Sequence, residues 1–124
     1  WAEATVEQLA RIAGLTQEVD LASGETIYAE GQPSDALYFL LSGRILLEKS
    51  GTPAFEVNEG ETFGTLAALD RQPHLYSAKA AGVAHILKLD TRDFHDLLSL
   101  DSGLALAVLR VLCRLIRSGR FAMS

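Results

Sequence analysis

The stretch that decides the fold is EGETFGTLAALDRQPHLYSA, residues 59–78, in which a short helical segment interrupts β-prone sequence. After Thr65 the run to Asp70 has no β-branched residue, and it begins directly behind Gly64, so we predict one helical turn at 65–70. A glycine that ends a strand and begins a helix directs several backbone N–H groups at one point, where a small anion can bind. A plain structural corner of a β protein is the competing interpretation.

On either side of this stretch, the sequence consists of short β-prone runs separated by glycines. The runs follow one another too closely for the helical crossovers of a parallel sheet. We therefore predict a mainly β fold with flanking helices, a jelly-roll-like β-roll (double-stranded β-helix) of about eight antiparallel strands. The predicted strands lie at residues 15–21, 26–29, 36–41, 45–49, 55–58, 75–80 and 83–89.

Helices are predicted at both ends of the chain. Thr5 and Gln8 have the spacing of a capping box, and apolar residues follow at helical spacing until Gly14. From Leu15 the period changes to the two-residue alternation of a half-buried strand. Two further helices follow the last strand, one running to residue 98 and one reaching residue 117. Their candidate caps are Asp90 or Thr91 for the first and Asp101 or Ser102 for the second.

The composition is that of an ordinary globular domain. With 48% hydrophobic and 22% charged residues among 124, it excludes disorder and a disulfide scaffold. A net charge of −5 gives no electrostatic footprint for nucleic acid, so we predict no direct nucleic-acid binding. The single cysteine, Cys113, and the lack of an apolar run of roughly 20 residues favour a cytoplasmic protein without a membrane span. We expect residues 1–124 to form one domain of a longer polypeptide.

Several blocks in a fixed order carry a resemblance to a known family. They are GETIYAEG at 24–31, DALYFLLSGR at 35–44, GETFG at 60–64, and LKLD at 87–90 before Asp93 and Phe94. The chain resembles the cyclic nucleotide-binding domain family, which provides regulatory modules to catabolite-activator-type transcription factors, cyclic-nucleotide-dependent kinases and gated channels. The resemblance covers nearly the whole chain and implies a non-enzymatic sensor module of signal transduction.

The family's phosphate-binding cassette resembles Phe-Gly-Glu-x-Ala followed by Pro-Arg-x-Ala-Thr or Ser. Its Glu accepts the ribose hydroxyl, and its Arg pairs with the cyclic phosphate; this chain has Thr65 and His74 at those positions. Leu75 and Tyr76 stand where the family places small side chains, whereas Ser77 matches its hydroxyl. The ligand-binding residues that the resemblance implies are Phe63, Gly64, Thr65, Leu66, Ala67, His74, Leu75, Tyr76 and Ser77.

The two departures remove the charges that a cyclic phosphate needs. Arginine is a permanent bidentate cation, whereas histidine, with a reference pKa of about 6.5, is mostly neutral at pH 7. If each lost charge-assisted bond is worth roughly 1.5–3 kcal/mol, the affinity falls by roughly two to four decades. We therefore expect weak or absent cyclic nucleotide binding, in a pocket filled by its own side chains or reshaped for another small anion. Arg71, Lys79 and the backbone N–H groups of 65–67 are alternative sources of positive potential.

A cupin-like metal enzyme is a further alternative, because jelly-roll folds also host the cupin enzymes. His74, His85 and His95 do not form the His-x-His pair that a cupin site requires. Neither Ser42 nor Ser77 stands in a nucleophile-elbow pattern. We therefore predict neither a metal site nor enzymatic activity.

The last predicted helix, 103–117, is amphipathic and offers a surface for a partner. Its basic face carries Arg110, Arg114 and Arg117. Its apolar stripe is wider than one side of a small β-roll requires. A homodimer through this helix, or docking to a neighbouring domain, explains the excess, and a degenerate pocket that serves only dimerisation or docking is the alternative function. The stripe consists of Leu104, Val108, Val111, Leu112, Leu115 and Ile116.

Overall fold

The computed structural model describes residues 12–118, a run of short strands with a helix at 65–70 and two helices at the end. The strands are β1 (Gln17–Leu21), β2 (Thr26–Tyr28), β3 (Ala36–Ser42), β4 (Ile45–Lys49), β5 (Thr52–Val57), β6 (Thr62–Phe63), β7 (Ser77–Ala80) and β8 (Ala84–Asp90). The helices are α1, described over 12–15, α2 (Thr65–Asp70), α3 (Thr91–Leu100) and α4 (Ser102–Ser118).

The strands form two four-stranded antiparallel sheets, in the orders β1-β8-β3-β6 and β2-β7-β4-β5. Strand β8 pairs with both β1 and β3, while β7 pairs with both β2 and β4. Strands that are neighbours in a sheet are thus mostly distant along the chain. This is the topology of a jelly-roll-like β-roll, and it confirms the predicted fold class.

The interior of the roll is a closed hydrophobic core, here called the roll core. Each strand directs alternate side chains inward, as Ile45 and Leu47 of β4 do. Removal of these apolar side chains from water is the main force that holds the two sheets together. The roll core comprises Leu21, Tyr28, Ala36, Tyr38, Leu40, Ile45, Leu47, Val57, Phe63, Ala78, Ala80, Ala84 and Ile86.

A second group of buried residues, here called the helix cluster, joins the C-terminal helices to the outside of the roll. Both helices begin at aspartate caps, as predicted. Asp90 accepts a hydrogen bond from the backbone N–H of Arg92 at 2.7 Å, and Asp101 accepts one from Leu104 at 3.0 Å. The helix cluster comprises Ile12, Leu37, Ala68, Leu89, Phe94, Leu97, Leu104 and Val108.

The structure corrects the predicted elements at several boundaries. Leu15 lies in α1 and is exposed, not in the first strand. Strand β7 begins at Ser77 and not at residue 75, and β5 begins at Thr52. Strand β6 was not predicted at all, because a strand of two residues shows no periodicity and exists through its pairing with β3. The helix predicted from Thr5 lies outside the described residues up to residue 11, and the side chain of Leu115 also lies outside them.

Candidate functional site

Helix α2 turns away from strand β6 at Gly64, as predicted for residues 65–70. Gly64 has φ +74°, a left-handed conformation that favours glycine. Its carbonyl accepts the first helical hydrogen bond, from the N–H of Ala68 at 3.2 Å. A Cβ at Gly64 would lie 3.4 Å from both His74 Cε1 and Tyr38 Cδ2. The glycine therefore lets the rings of the roll and of the 71–76 loop approach the start of α2.

The 71–76 loop after α2 is fixed by its backbone, and this fixes the position of His74. The N–H of His74 donates to the carbonyl of Gln32 at 3.0 Å, and its own carbonyl accepts from Gly31 at 2.8 Å. The imidazole is directed inward, is 4% exposed, and stacks on Tyr28 with centroids 3.6 Å apart and planes 10° apart. His74 is therefore a packed aromatic wall of the site.

The chemistry of His74 and Thr65 follows from their burial. Burial lowers the pKa of His74 below its usual value, and the nearby charge of Asp35 opposes this in part. The ring is therefore neutral at neutral pH. His74 Nε2 and Thr65 Oγ1 are both buried without a hydrogen-bond partner among the described residues. The two positions that hold charged anchors in the resembled cassette thus hold neutral, unpartnered polar atoms here.

Next to His74 lies a cavity of about 210 Å³, here called the α2 cavity. It lies between α2, the 72–76 loop and residues of strands β2 and β4. Most of its walls are aliphatic or aromatic, and Asp70 supplies its one carboxylate. No Lys or Arg side chain among the described residues lines it. The lining residues are Tyr28, Leu47, Leu66, Ala67, Asp70, Gln72, Pro73, His74, Leu75 and Tyr76.

The basic groups considered as substitutes lie elsewhere. Arg71 is exposed, has φ +57°, and lines a separate polar hollow with Asp35 and Asp90. Lys79 is exposed on β7, where it pairs with Thr26 and Leu46. Neither side chain reaches the lining of the α2 cavity.

A cation that does approach this region is Lys49 of β4. Its ammonium lies 5.3 Å from the centroid of the Tyr76 ring and donates to the carbonyl of Leu75 at 3.3 Å. Lys49 is not among the residues that line the cavity. It therefore places a positive charge beside two lining residues without lining the cavity itself.

Leu75 and Tyr76, which follow His74, form another part of the wall of the α2 cavity. Tyr76 packs against the roll core and meets Phe55 edge-on at 5.6 Å, while Leu75 is 50% exposed. The Ser77 hydroxyl accepts a hydrogen bond from the backbone N–H of Glu30 at 2.8 Å. Ser77 thus holds the neighbouring loop in place and does not line the cavity.

The structure brings only part of the predicted binding set together. Five of the nine line the α2 cavity: Leu66, Ala67, His74, Leu75 and Tyr76. Phe63 is fully buried in the roll core, and Gly64, Thr65 and Ser77 lie behind the lining. That these residues bind a ligand stays a prediction. Sequence reasoning missed Tyr28 and Leu47, which strand pairing brings from distant segments, as well as Asp70, Gln72 and Pro73.

A direct contact connects α2 to the C-terminal helices. His95 of α3 donates from Nε2 to the carbonyl of Ala68 at 2.6 Å, and Ala68 is buried in the helix cluster. Ala67, the preceding residue, lines the α2 cavity. This hydrogen bond therefore joins the helix that lines the α2 cavity to α3.

The outer face of α4 leaves apolar side chains in solvent. Leu109 and Ile116 are each 58% exposed. Beside them runs an apolar groove lined by Leu69, Leu98, Ala105, Val108, Leu109 and Leu112. Together these side chains form an exposed apolar patch on α4.

His85, the remaining histidine, lies on the outer surface of β8, where it pairs with Asp20 of β1 and not with His74 or His95. Between residues 12 and 118, no group of three or more His, Cys, Asp or Glu side chains is arranged to hold a metal ion. In the same range, no helix has the length and apolarity needed to cross a bilayer.

Comparison with known proteins relates this geometry to one family. The family model described as cyclic nucleotide-binding domain matches residues 18–101. The chain is 37% identical over 91 residues to a cAMP-dependent protein kinase regulatory subunit of Aspergillus niger, which covers 72% of this chain and 22% of that protein. It is 29% identical over 114 residues to a CRP-like cAMP-activated global transcriptional regulator of Mycobacterium tuberculosis, which covers 86% of this chain and 51% of that protein.

Solved structures agree with this relationship. The N-terminal domain of a transcriptional regulator from Streptomyces coelicolor A3(2) superposes with a TM-score of 0.80 at 30% identity. The superposition covers 99% of this chain and 89% of that one. The chain spans 22% and 51% of the length of the two curated relatives, so those proteins contain further segments beside the matched one.

Proposed function

The chain belongs to the cyclic nucleotide-binding domain family, and from this we propose that it is a non-enzymatic regulatory module that binds cyclic nucleotides weakly or not at all. The names of its relatives describe regulation by cAMP, in a kinase subunit and in a transcriptional regulator. We propose the regulatory role for this chain as well, but not the response to cAMP. The reason lies in the α2 cavity.

The observation that carries the proposal is the charge of the cavity lining. A cyclic phosphodiester stays ionised, so it needs a cation or several donors wherever it is withdrawn from water. The α2 cavity offers the carboxylate of Asp70 and a neutral His74, with no lysine or arginine among its lining residues. An anion placed there meets repulsion from Asp70 and no compensating charge, which opposes binding.

The size of the cavity supports the same conclusion. Small-molecule sites typically enclose about 300–1,000 Å³, whereas the α2 cavity measures about 210 Å³. His74, stacked on Tyr28, and Tyr76, packed against Phe55, occupy space beside α2. A complete nucleotide would require these rings to move out of their packing.

A regulatory output can still pass through α2. Ala67 faces the α2 cavity, and Ala68 is bonded to His95 of α3. An occupant that prefers one position of α2 shifts the population of positions that α3 and α4 adopt. In this proposal the module passes the state of the cavity to whatever contacts its last helix.

A second candidate function is docking without a ligand. The exposed Leu109 and Ile116 favour it, because apolar side chains on the outer face of α4 gain from being covered by another protein. In this version the α2 cavity is vestigial. A second copy of the chain or a neighbouring domain would bury the face of α4.

Isothermal titration calorimetry with cyclic AMP and cyclic GMP at pH 7 tests the proposal. We expect dissociation constants in the millimolar range or no heat. A micromolar constant for either nucleotide would contradict the proposal outright.

The double variant Thr65→Glu/His74→Arg separates the two candidates. It restores both charged anchors, so we expect a gain in cyclic AMP affinity of about two decades or more if the rest of the site is intact. A silent double variant indicates a blocked cavity and favours docking alone. The control is His85→Arg on the outer surface of β8, which makes the same substitution as His74→Arg away from the cavity and should leave binding unchanged.

A further inference from the structure

The size of the α2 cavity limits what it can hold. Its volume of about 210 Å³ exceeds the roughly 150 Å³ of an apolar cavity that stays dry and takes up benzene. One or two fused rings therefore fit without displacement of the walls. Leu75, one of the lining residues, is 50% exposed, so a molecule that enters past its side chain need not unfold the roll.

The walls of the cavity favour flat, apolar molecules. Leu47, Leu66 and Ala67 form its aliphatic side, while Tyr76 and the stacked pair of Tyr28 and His74 form its aromatic side. Aromatic side chains gain from stacked or edge-to-face contact with a second ring, in addition to the gain from buried area. His74 contributes to this wall as a ring stacked on Tyr28, and its Nε2 is buried without a hydrogen-bond partner among the described residues.

The charges around the cavity select against ionised ligands. Asp70 is exposed and lines the cavity, and its Oδ1 also accepts a hydrogen bond from the backbone N–H of Gln72 at 3.0 Å. Lys49 does not line the cavity, and its ammonium already contacts the Tyr76 ring and the Leu75 carbonyl. An anion is repelled by the one charge that lines the cavity, and a cation has Lys49 nearby. A neutral molecule avoids both penalties.

We propose that the α2 cavity binds a small uncharged aromatic molecule of one or two rings, held between Ala67 of α2 and the rings of Tyr28 and Tyr76, and that Asp70 excludes its anionic analogues. This inference rests on the proposed function, because it requires that the cavity is not a cyclic nucleotide site. It adds the chemical class of the occupant.

The test uses two probes of the same shape and different charge, indole and indole-3-carboxylate. Each is titrated into the 15N-labelled chain, with cyclic AMP in a parallel titration, and amide shifts are followed by NMR. We expect indole to shift the amides of α2 and the 72–76 loop and to bind at least tenfold more tightly than indole-3-carboxylate.

Two variants examine the origin of that difference. Asp70→Asn removes the lining carboxylate, so the preference for indole over its carboxylate should shrink to less than threefold. Asp96→Asn on the exposed surface of α3 removes the same charge away from the cavity and should leave the preference unchanged. An unchanged preference in Asp70→Asn would refute the role assigned to Asp70.

Two further variants fill the cavity. Ala67→Leu should abolish indole binding, whereas Ala54→Leu on the exposed part of β5 should not. If Ala67→Leu fails to fold, Leu75→Trp provides the same test, because it places a larger side chain at a half-exposed lining position outside the roll core. Indole binding that survives in a folded cavity-filling variant would overturn the proposal.

The titrations also separate this inference from the function on which it rests. If neither indole nor cyclic AMP binds, the aromatic ligand class is wrong while the proposal of weak nucleotide binding stands. If cyclic AMP binds at micromolar concentration, the proposed function itself is wrong, and the inference falls with it.

Discussion

The roll core and the helix cluster contain similar residues but differ in how completely they are enclosed. The roll core is shielded by two antiparallel sheets, and the ring of Phe63 within it is fully buried. The helix cluster has only α3 and α4 over its outer side, and α4 leaves Leu109 58% exposed. The roll core is therefore enclosed by its own two sheets, whereas the helices leave apolar surface in solvent.

Helix α2 belongs to both regions, and this explains why the site lies where it does. Ala67 faces the α2 cavity at the edge of the roll, and Ala68 is buried in the helix cluster. The six residues of α2 therefore connect the roll to the less enclosed helix cluster. Any ligand effect would be expected to appear in the helix cluster, because the roll core has no room to rearrange.

The largest effect is expected from a cavity made in the roll core. Phe63→Ala removes a fully buried ring that contacts Tyr38 with centroids 5.1 Å apart. We expect a loss of about 3–5 kcal/mol in the free energy of unfolding, measured by urea denaturation. Phe55→Ala is the matched control on half-buried β5 and should cost clearly less. Equal losses would show that the roll core is not the main source of stability.

A truncation in the helix cluster should come next in size. Leu104 is 1% exposed, so Leu104→Ala should cost about 2–5 kcal/mol, again by urea denaturation. Leu109, one turn further along α4, is 58% exposed, and Leu109→Ala should stay within about 0.5 kcal/mol in dilute solution. A large cost for Leu109→Ala that depends on protein concentration would show that a second copy covers this face.

The cap of α3 provides a smaller perturbation confined to the helical side. Asp90→Ala removes the acceptor for the Arg92 N–H, and we expect a loss of about 1 kcal/mol. Hydrogen exchange should accelerate in the first turn of α3 and remain unchanged in the roll. Asp96→Ala in the middle of the same helix is the control. If both substitutions have the same effect, the cap does not hold the helix start.

Sequence reasoning predicted elements well and the site less well, for a physical reason. Glycines, alternation and aspartate caps are local signals, and they located most strands, α2 at 65–70, and the starts of α3 and α4. The α2 cavity depends on contacts between distant segments. Tyr28 comes to His74 because β2 pairs with β7 and because residues 31–32 bond to the backbone of His74. The spacing of residues along the chain therefore could not predict that Tyr28 stacks on His74.

The smallest effect expected is a pH dependence of the free energy of unfolding, which arises from His74 beside α2. Burial lowers the pKa of His74 in the folded state, so the unfolded chain binds its proton more tightly. The neutral imidazole makes its full contribution to the free energy of unfolding above the pKa of about 6.5 that it has in the unfolded chain. This contribution is lost as the pH falls below that value and through the lower pKa of the folded state.

His74→Phe keeps a ring against Tyr28 and cannot titrate, so its stability should decline less than that of the wild type between about pH 7.5 and 5.5. Thr65→Val, which removes the other unpartnered atom without a titrating group, should retain the wild-type slope. Identical slopes for wild type and His74→Phe in urea denaturation would mean that the imidazole is solvated and that the wall beside α2 is open in solution.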